Sequence, residues 1–159
     1  MNLAPLFRYP DTSFARHIDG LYGSGGAELD AFAREMAALD LAEQQSTYTA
    51  TFDLAPSCTP YLGVHLFGDE NPDRARLMVG LRLAYARVGM AADPAELPDH
   101  LAEVLEFAER DGVEEREDLL RLVLAPALKR MHEILAPTAN PYRHLVAAAL
   151  HRAAPGDAS

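Results

Sequence analysis

The sequence predicts an all-α protein, a single-domain helical bundle. Apolar residues recur at helical spacing from one end of the chain to the other, cap signals punctuate that periodicity, and no run alternates with the period of a strand. The 159 residues, 49% of them hydrophobic, suffice for one core. Residues 1–154 are expected to form the bundle and residues 155–159 a frayed tail.

Taken in order, Asp11-Thr12 caps a short helix carrying Phe14, Ile18 and Leu21, which Gly23 to Gly26 ends. Leu29, Phe32, Ala33 and Met36 mark a second helix. Asp40 with Glu43 three residues later reads as a capping box, followed by Leu41, Tyr48 and Phe52 on one face. Pro56 to Pro60 breaks the chain, and Tyr61 to Phe67 gives one or two helical turns. Asn71-Pro72 is a cap followed by proline at the first helical position, where its missing N–H costs nothing. The helix it starts buries Leu77, Met78, Leu81, Tyr85 and Val88, and Gly89 ends it. Pro98 is expected to open the next helix with Asp99 in its first turn, and Leu101, Val104, Leu105 and Ala108 form its buried stripe. Glu114 to Ala136 is helical, with Leu119, Leu122, Val123, Leu128, Met131, Ile134 and Leu135 as core, and Pro126 should kink or split it. Asn140-Pro141 starts a last helix carrying Leu145, Val146, Ala149 and Leu150.

The formal net charge of −10 opposes nucleic-acid binding, which rests on clustered Lys and Arg, and favours basic partners. No apolar run is long enough to span a bilayer, so no stable membrane insertion is expected, and residues 1–10 lack the pattern of a secretory signal. The single cysteine, Cys58, excludes an internal disulfide and a multi-cysteine zinc site. A cytoplasmic protein is the expectation.

Nothing assembles into a catalytic site. Cys58 reads as a half-buried loop cysteine, and Ser57, His65 and Asp69 have the residue types of a triad without the structural context one needs. The six histidines are scattered singly, and none pairs at i, i+4, so neither a metal nor another cofactor is expected. Gly23-Ser24-Gly25-Gly26 lacks the lysine of a phosphate-cradling loop. Arg74, Arg76, Arg82 and Arg87 form a basic strip on one helix, or else surface ion pairs of small energy. The surplus lies in Glu96-Leu97-Pro98-Asp99-His100-Leu101. Helix formation does not demand a histidine beside that aspartate, nor a glutamate and a leucine before the proline. A plain helix cap with a solvated imidazole and a surface that reads a partner both account for the Asp99-His100 pair.

Several separated segments resemble one family. Tyr48-Thr49-Ala50-Thr51-Phe52-Asp53 is similar to the tyrosine-to-Phe-Asp motif of the nitrate reductase delta-subunit proteins, the NarJ-like assembly chaperones related to the TorD and DmsD chaperones. Tyr61 to Asp69 resembles their short helix ending in Gly-Asp, and Asp73-Arg74 with Met78, Leu81, Tyr85 and Gly89 their central helix. Glu96 to Leu101 with Leu105-Glu106-Phe107 is the best signature, and Leu6-Phe7-Arg8-Tyr9-Pro10 resembles the family's N-terminal Tyr-Pro start. The chain departs from the pattern at Ala102-Glu103, where many relatives have a proline after the leucine.

The resemblance implies a TorD-like fold and a cytoplasmic chaperone without chemistry of its own. Its partner would be the catalytic subunit of a molybdopterin oxidoreductase, whose N-terminal peptide it holds until molybdenum cofactor insertion. By motif match, Asp99 and His100 take the recognition role, Pro98 and Leu101 shape the turn, and Pro60 and Tyr61 contribute. Tyr48, Phe52, Asp53 and Tyr85 complete the motif around a groove. In that groove Leu, Tyr and Phe side chains would supply binding energy, and Asp99, Glu96 and Glu106 at the rim would pair with Arg or Lys of the target. The competing readings are a helical adaptor of unrelated purpose, a retained structural subunit and a hydrolase built on Cys58 or His65. The oligomeric state is open, with a homodimer by helix exchange among the alternatives.

Overall fold

The computed structural model describes residues 1–53 and 58–154, and the secondary structure it describes is helical. A 3-10 turn, Ala4–Phe7, precedes α1 (Phe14–Asp19), α2 (Ala27–Ala37), α3 (Leu41–Phe52), α4 (Leu62–Phe67) and α5 (Pro72–Arg87). Then follow α6 (Leu101–Ala108), α7 (Arg116–Leu119), a π-helical turn (Leu120–Leu124), α8 (Ala125–Leu135) and α9 (Tyr142–Ala153). The tail at 155–159, Pro56 and Ser57 lie outside the described residues. Among the described residues no helix is long and apolar enough to cross a membrane.

Caps set the elements where the sequence places them. Glu43 N–H donates to Asp40 Oδ1 at 2.8 Å and Asp40 N–H returns to Glu43 Oε1 at 3.2 Å, closing the capping box. Asn71 accepts from Asp73 N–H and Asn140 from Tyr142 N–H, each at 2.9 Å. At the end of α5, Met90 N–H reaches Tyr85 O and Gly89 N–H reaches Ala86 O, a Schellman pair that needs the positive φ of 70° at Gly89.

The core runs through α2, α8 and α9, with α9 packed on both of the others and Leu29, Phe32, Met36, Leu128, Met131, Leu145 and Val146 wholly enclosed. Phe7, Phe14, Phe32, Tyr48, Phe52 and Tyr142 form one aromatic cluster within it. The N-terminal segment is a strap: its 3-10 turn packs on α6 and buries Leu3, Leu6 and Phe7. Tyr48 Oη donates to Phe7 O, Gln45 Nε2 to Pro10 O, and Arg8 joins Glu103 and Glu106 on α6.

Several expectations need correction. α6 begins at Leu101, not at Pro98, because residues 98–100 are drawn into other hydrogen bonds described below. Pro126 does not split its helix. Ala125 N–H reaches back five residues to Leu120 O, and this wider turn accommodates the proline within a continuous helical rod that starts at Arg116. Leu122, assigned to the core, is 54% exposed, and Leu41 is also exposed. Cys58 is fully buried, not half-buried. Gln44 takes the inward place expected of Leu41, with its amide donating to Met36 O.

Gly80, inside α5, has open space where a Cβ would stand. Glycine in a helix interior is about 0.5–1 kcal/mol worse than alanine. Gly80→Ala is therefore expected to stabilise the fold by about that amount, read as a higher urea midpoint at unchanged m-value.

Candidate peptide-binding cleft

Two segments far apart in sequence meet in one isolated antiparallel bridge, Tyr61 with His100. Leu62 N–H donates to Asp99 O at 2.9 Å and Leu101 N–H to Pro60 O at 2.8 Å. This pairing keeps residues 98–100 out of the helix. Tyr85, buried in α5, donates its hydroxyl to Pro98 O at 2.6 Å. Pro60, Pro98 and Leu101 are buried and form the frame of the bridge.

Asp99 is the hub of that frame, and it is 0% exposed. Its Oδ2 accepts from Gly63 N–H and from Arg74 Nε, each at 3.1 Å. Arg74 also reaches Asp69 and lies over the Tyr61 ring, 5.8 Å from its centroid. A Cβ at Gly63 would sit 2.7 Å from both Arg74 Cγ and Asp99 Oδ2, so only glycine lets the pair close on the backbone. The expectation of Asp99 at a charged rim is thus corrected: its carboxylate faces inward and is already paired.

His100 does cap a helix, but with a buried ring in place of a solvated one. Ala102 N–H donates to Nδ1 at 3.1 Å, which puts the neutral ring's proton on Nε2, 3.9 Å from Glu96 Oε2. Burial lowers the His100 pKa, opposed by the Glu96 charge; burial likewise lowers that of His65, whose Nε2 meets Thr59 O at 2.7 Å. Both rings bind a proton less readily folded than unfolded. Their contribution to stability is full above the ordinary value of 6.5 and is lost as pH falls through the folded values. The urea midpoint is expected to drop on going from about pH 7 to about pH 5, with a shallower slope in His65→Gln.

In front of this frame lies a cleft of about 440 Å³. Arg8, Tyr9, Asp11, Tyr48, Asp53, Tyr61, Asp93, Glu96 and His100 line it. The sequence-predicted Tyr48, Asp53, Tyr61, Glu96 and His100 are therefore brought together. Phe52 and Tyr85 are core residues behind it, and Asp99, Pro98, Pro60 and Leu101 support it. Tyr61 Oη donates to Glu96 Oε1 at 2.5 Å, and the rings of Tyr61 and His100 meet edge-on. Burial and then the Glu96 carboxylate push the Tyr61 hydroxyl pKa up; burial and then Asp53 do so for Tyr48. Both hydroxyls stay protonated.

Sequence reasoning missed Tyr9, Asp11 and Asp93 and gave Arg8 no role. Arg-Tyr-Pro at 8–10 was the available signal, since neither helix nor turn formation requires it. Tyr9 is exposed and packs edge-on against Tyr48. Arg8 is held by Glu103 at 2.8 Å and Glu106 at 2.7 Å. Burial works against its charge, but these hydrogen bonds and charges outweigh it and hold its pKa above the ordinary value. Glu106, expected free at the rim, is thus engaged within the chain.

The wall is four carboxylates against one guanidinium that is itself neutralised, set among three tyrosine rings. Such a surface suits a cationic segment with apolar or aromatic side chains. Cys58 does not line it, and burial pushes that thiol up to about 12, far from thiolate at neutral pH. Among the described residues no group of three or more His, Cys, Asp or Glu is placed to hold a metal ion. A separate cleft of about 380 Å³, lined by Leu3, Leu105, Leu120, Leu124 and Ala149 among others, borders none of the predicted site residues.

A family model described as nitrate reductase delta subunit matches residues 19–148. The chain is similar to the nitrate reductase molybdenum cofactor assembly chaperone NarJ of Escherichia coli strain K12, 30% identical over 112 residues, 64% of this chain and 47% of that one. The protein of the same name from Escherichia coli O157:H7 matches with the same figures. The chain spans about half the length of these curated relatives.

Proposed function

The chain belongs to the nitrate reductase delta subunit family, and from that membership we propose that it is a maturation chaperone for a molybdopterin-containing catalytic subunit. It binds the N-terminal segment of that subunit in the cytoplasm and holds it for molybdenum cofactor insertion, performing no chemistry itself. The observation that supports this reading is the cleft: carboxylates of Asp11, Asp53, Asp93 and Glu96 around the rings of Tyr9, Tyr48 and Tyr61. The rings supply apolar contact area with little side-chain entropy to lose, and the carboxylates select positive charge and speed encounter. Asp99 and His100 act through position: the first holds the 60–64 segment and Arg74 in place, the second starts α6 and faces Glu96.

The test is titration of a synthetic N-terminal peptide of the cognate catalytic subunit against the full chain. Tyr9→Ala removes an exposed ring, and Glu96→Gln removes the charge of a half-buried carboxylate while keeping an acceptor for Tyr61. Each is expected to weaken binding about tenfold, with Glu96→Gln also flattening the salt dependence of the on-rate. Unchanged affinity in both variants would move the site elsewhere. No binding by the unmodified chain, or its recovery as a fixed component of purified reductase, would remove the chaperone reading.

A further inference from the structure

Helix α5 has a face that this fold does not use. Its inner side buries Leu81, Ala84 and Tyr85. On the opposite side Ala75, Val79, Leu83 and Ala86 follow at helical spacing and all face solvent. Val79 is 57% and Leu83 64% exposed, the two highest values for large hydrophobic side chains among the described residues. Arg76 and Arg87 flank this strip on one side and Arg82 on the other, all exposed. Arg76 pairs with Asp73 and Arg87 with Glu115, while Arg82 is in no ion pair among the described residues. Gly80 lies beyond Arg76 and Arg87 on the flank of this strip, with open space where a Cβ would stand.

We propose that the outer face of α5 docks an acidic amphipathic helix of a partner protein, at a surface separate from the peptide cleft. Charge selects this occupant. Three arginines border one apolar strip in a chain whose net charge is −10, so a helix carrying Glu or Asp beside its apolar stripe meets complementary charge there and repulsion over most of the remaining surface. A second copy fits less well. In an antiparallel two-fold pairing of α5 with itself each flank meets its own like, arginine against arginine. An anionic bilayer also fits less well, because the whole acidic body opposes approach and the apolar strip is only one side chain wide. The inner side of the same helix holds Arg74 on Asp99, so an occupant of this face would bear on the element that fixes the cleft's frame.

The probes are two designed helical peptides with the same leucine stripe, one flanked by Glu and its twin by Lys, titrated against the full chain by fluorescence anisotropy. The Glu peptide is expected to bind at least tenfold more tightly than the Lys twin and to shift the amide resonances of Arg76, Val79, Gly80 and Leu83. Val79→Asp/Leu83→Asp should weaken it at least tenfold, and Arg76→Glu/Arg82→Glu/Arg87→Glu should transfer the preference to the Lys twin. These side chains are exposed, so unchanged thermal melts will verify that the variants fold. Equal affinity for both peptides, or resonance shifts confined to Tyr9, Tyr61 and Glu96, would overturn the proposal. Self-association that needs Val79 and Leu83, or binding of phosphatidylglycerol vesicles in preference to the Glu peptide, would overturn it as well.

Discussion

Asp99→Ala is expected to destabilise the fold by about 3–5 kcal/mol, because removing one member of a buried ion pair strands the other. The value should fall toward the lower end, since Arg74 keeps 11% of its side-chain surface and a second contact with Asp69. Gly63 N–H would lose its acceptor too. Asp99→Asn, which keeps the shape and one acceptor oxygen, should cost less than Asp99→Ala. Urea unfolding followed by circular dichroism measures both. A loss in Asp99→Ala below about 1 kcal/mol, within the range of exposed pairs, would show that the inward carboxylate does not hold the frame. Because this variant disturbs the frame of the cleft, weaker peptide binding by it says nothing about direct contact, and Tyr9→Ala and Glu96→Gln carry that question.

Phe52→Ala is expected to have a comparable effect for a different reason. Its ring lies 5.0 Å from those of Tyr48 and Tyr142 and 6.4 Å from that of Phe7, centroid to centroid. Truncating a buried phenylalanine costs about 3–5 kcal/mol through lost transfer energy and the cavity left behind. Phe52→Leu, which refills much of that space, should retain a large part of the stability. The comparison also separates the halves of one motif: Phe52 is core, whereas Tyr48 and Asp53 reach the cleft. If Phe52→Ala melted like the unmodified chain but lost peptide affinity, Phe52 would belong to the binding surface after all.

The helical architecture was legible because caps are local. Asp40 with Glu43, Asn71-Pro72, Gly89 and Asn140 announce their elements within a few residues, and the structure places an element at each. Core identity followed from periodicity except at Leu41 and Leu122, which are exposed. The register of α6 was not legible. Pro98-Asp99 has the composition of a helix start, but the bridge to residues 60–62 is a long-range contact that overrides the local preference. The same contact explains why the predicted site residues divide into wall and frame. Tyr61, Glu96 and His100 reach the cleft, and Asp99, equally prominent in the motif, is turned inward by Gly63 and Arg74. Nothing within a few residues of Asp99 encodes that direction. The roles of Arg8 and Tyr9 are not legible locally because their partners, Glu103, Glu106 and Tyr48, lie on distant helices.

The strap has a bearing on when the molecule becomes competent during synthesis. One wall of the cleft is carried by residues 8–11, yet their latch is Glu103 and Glu106, made nearly a hundred residues later. Until α6 has emerged, Arg8 lacks its two carboxylates, and α3 holds the strap through Tyr48 on Phe7 O and Gln45 on Pro10 O. A nascent chain would thus carry that edge of the cleft without its latch for nearly a hundred residues of synthesis.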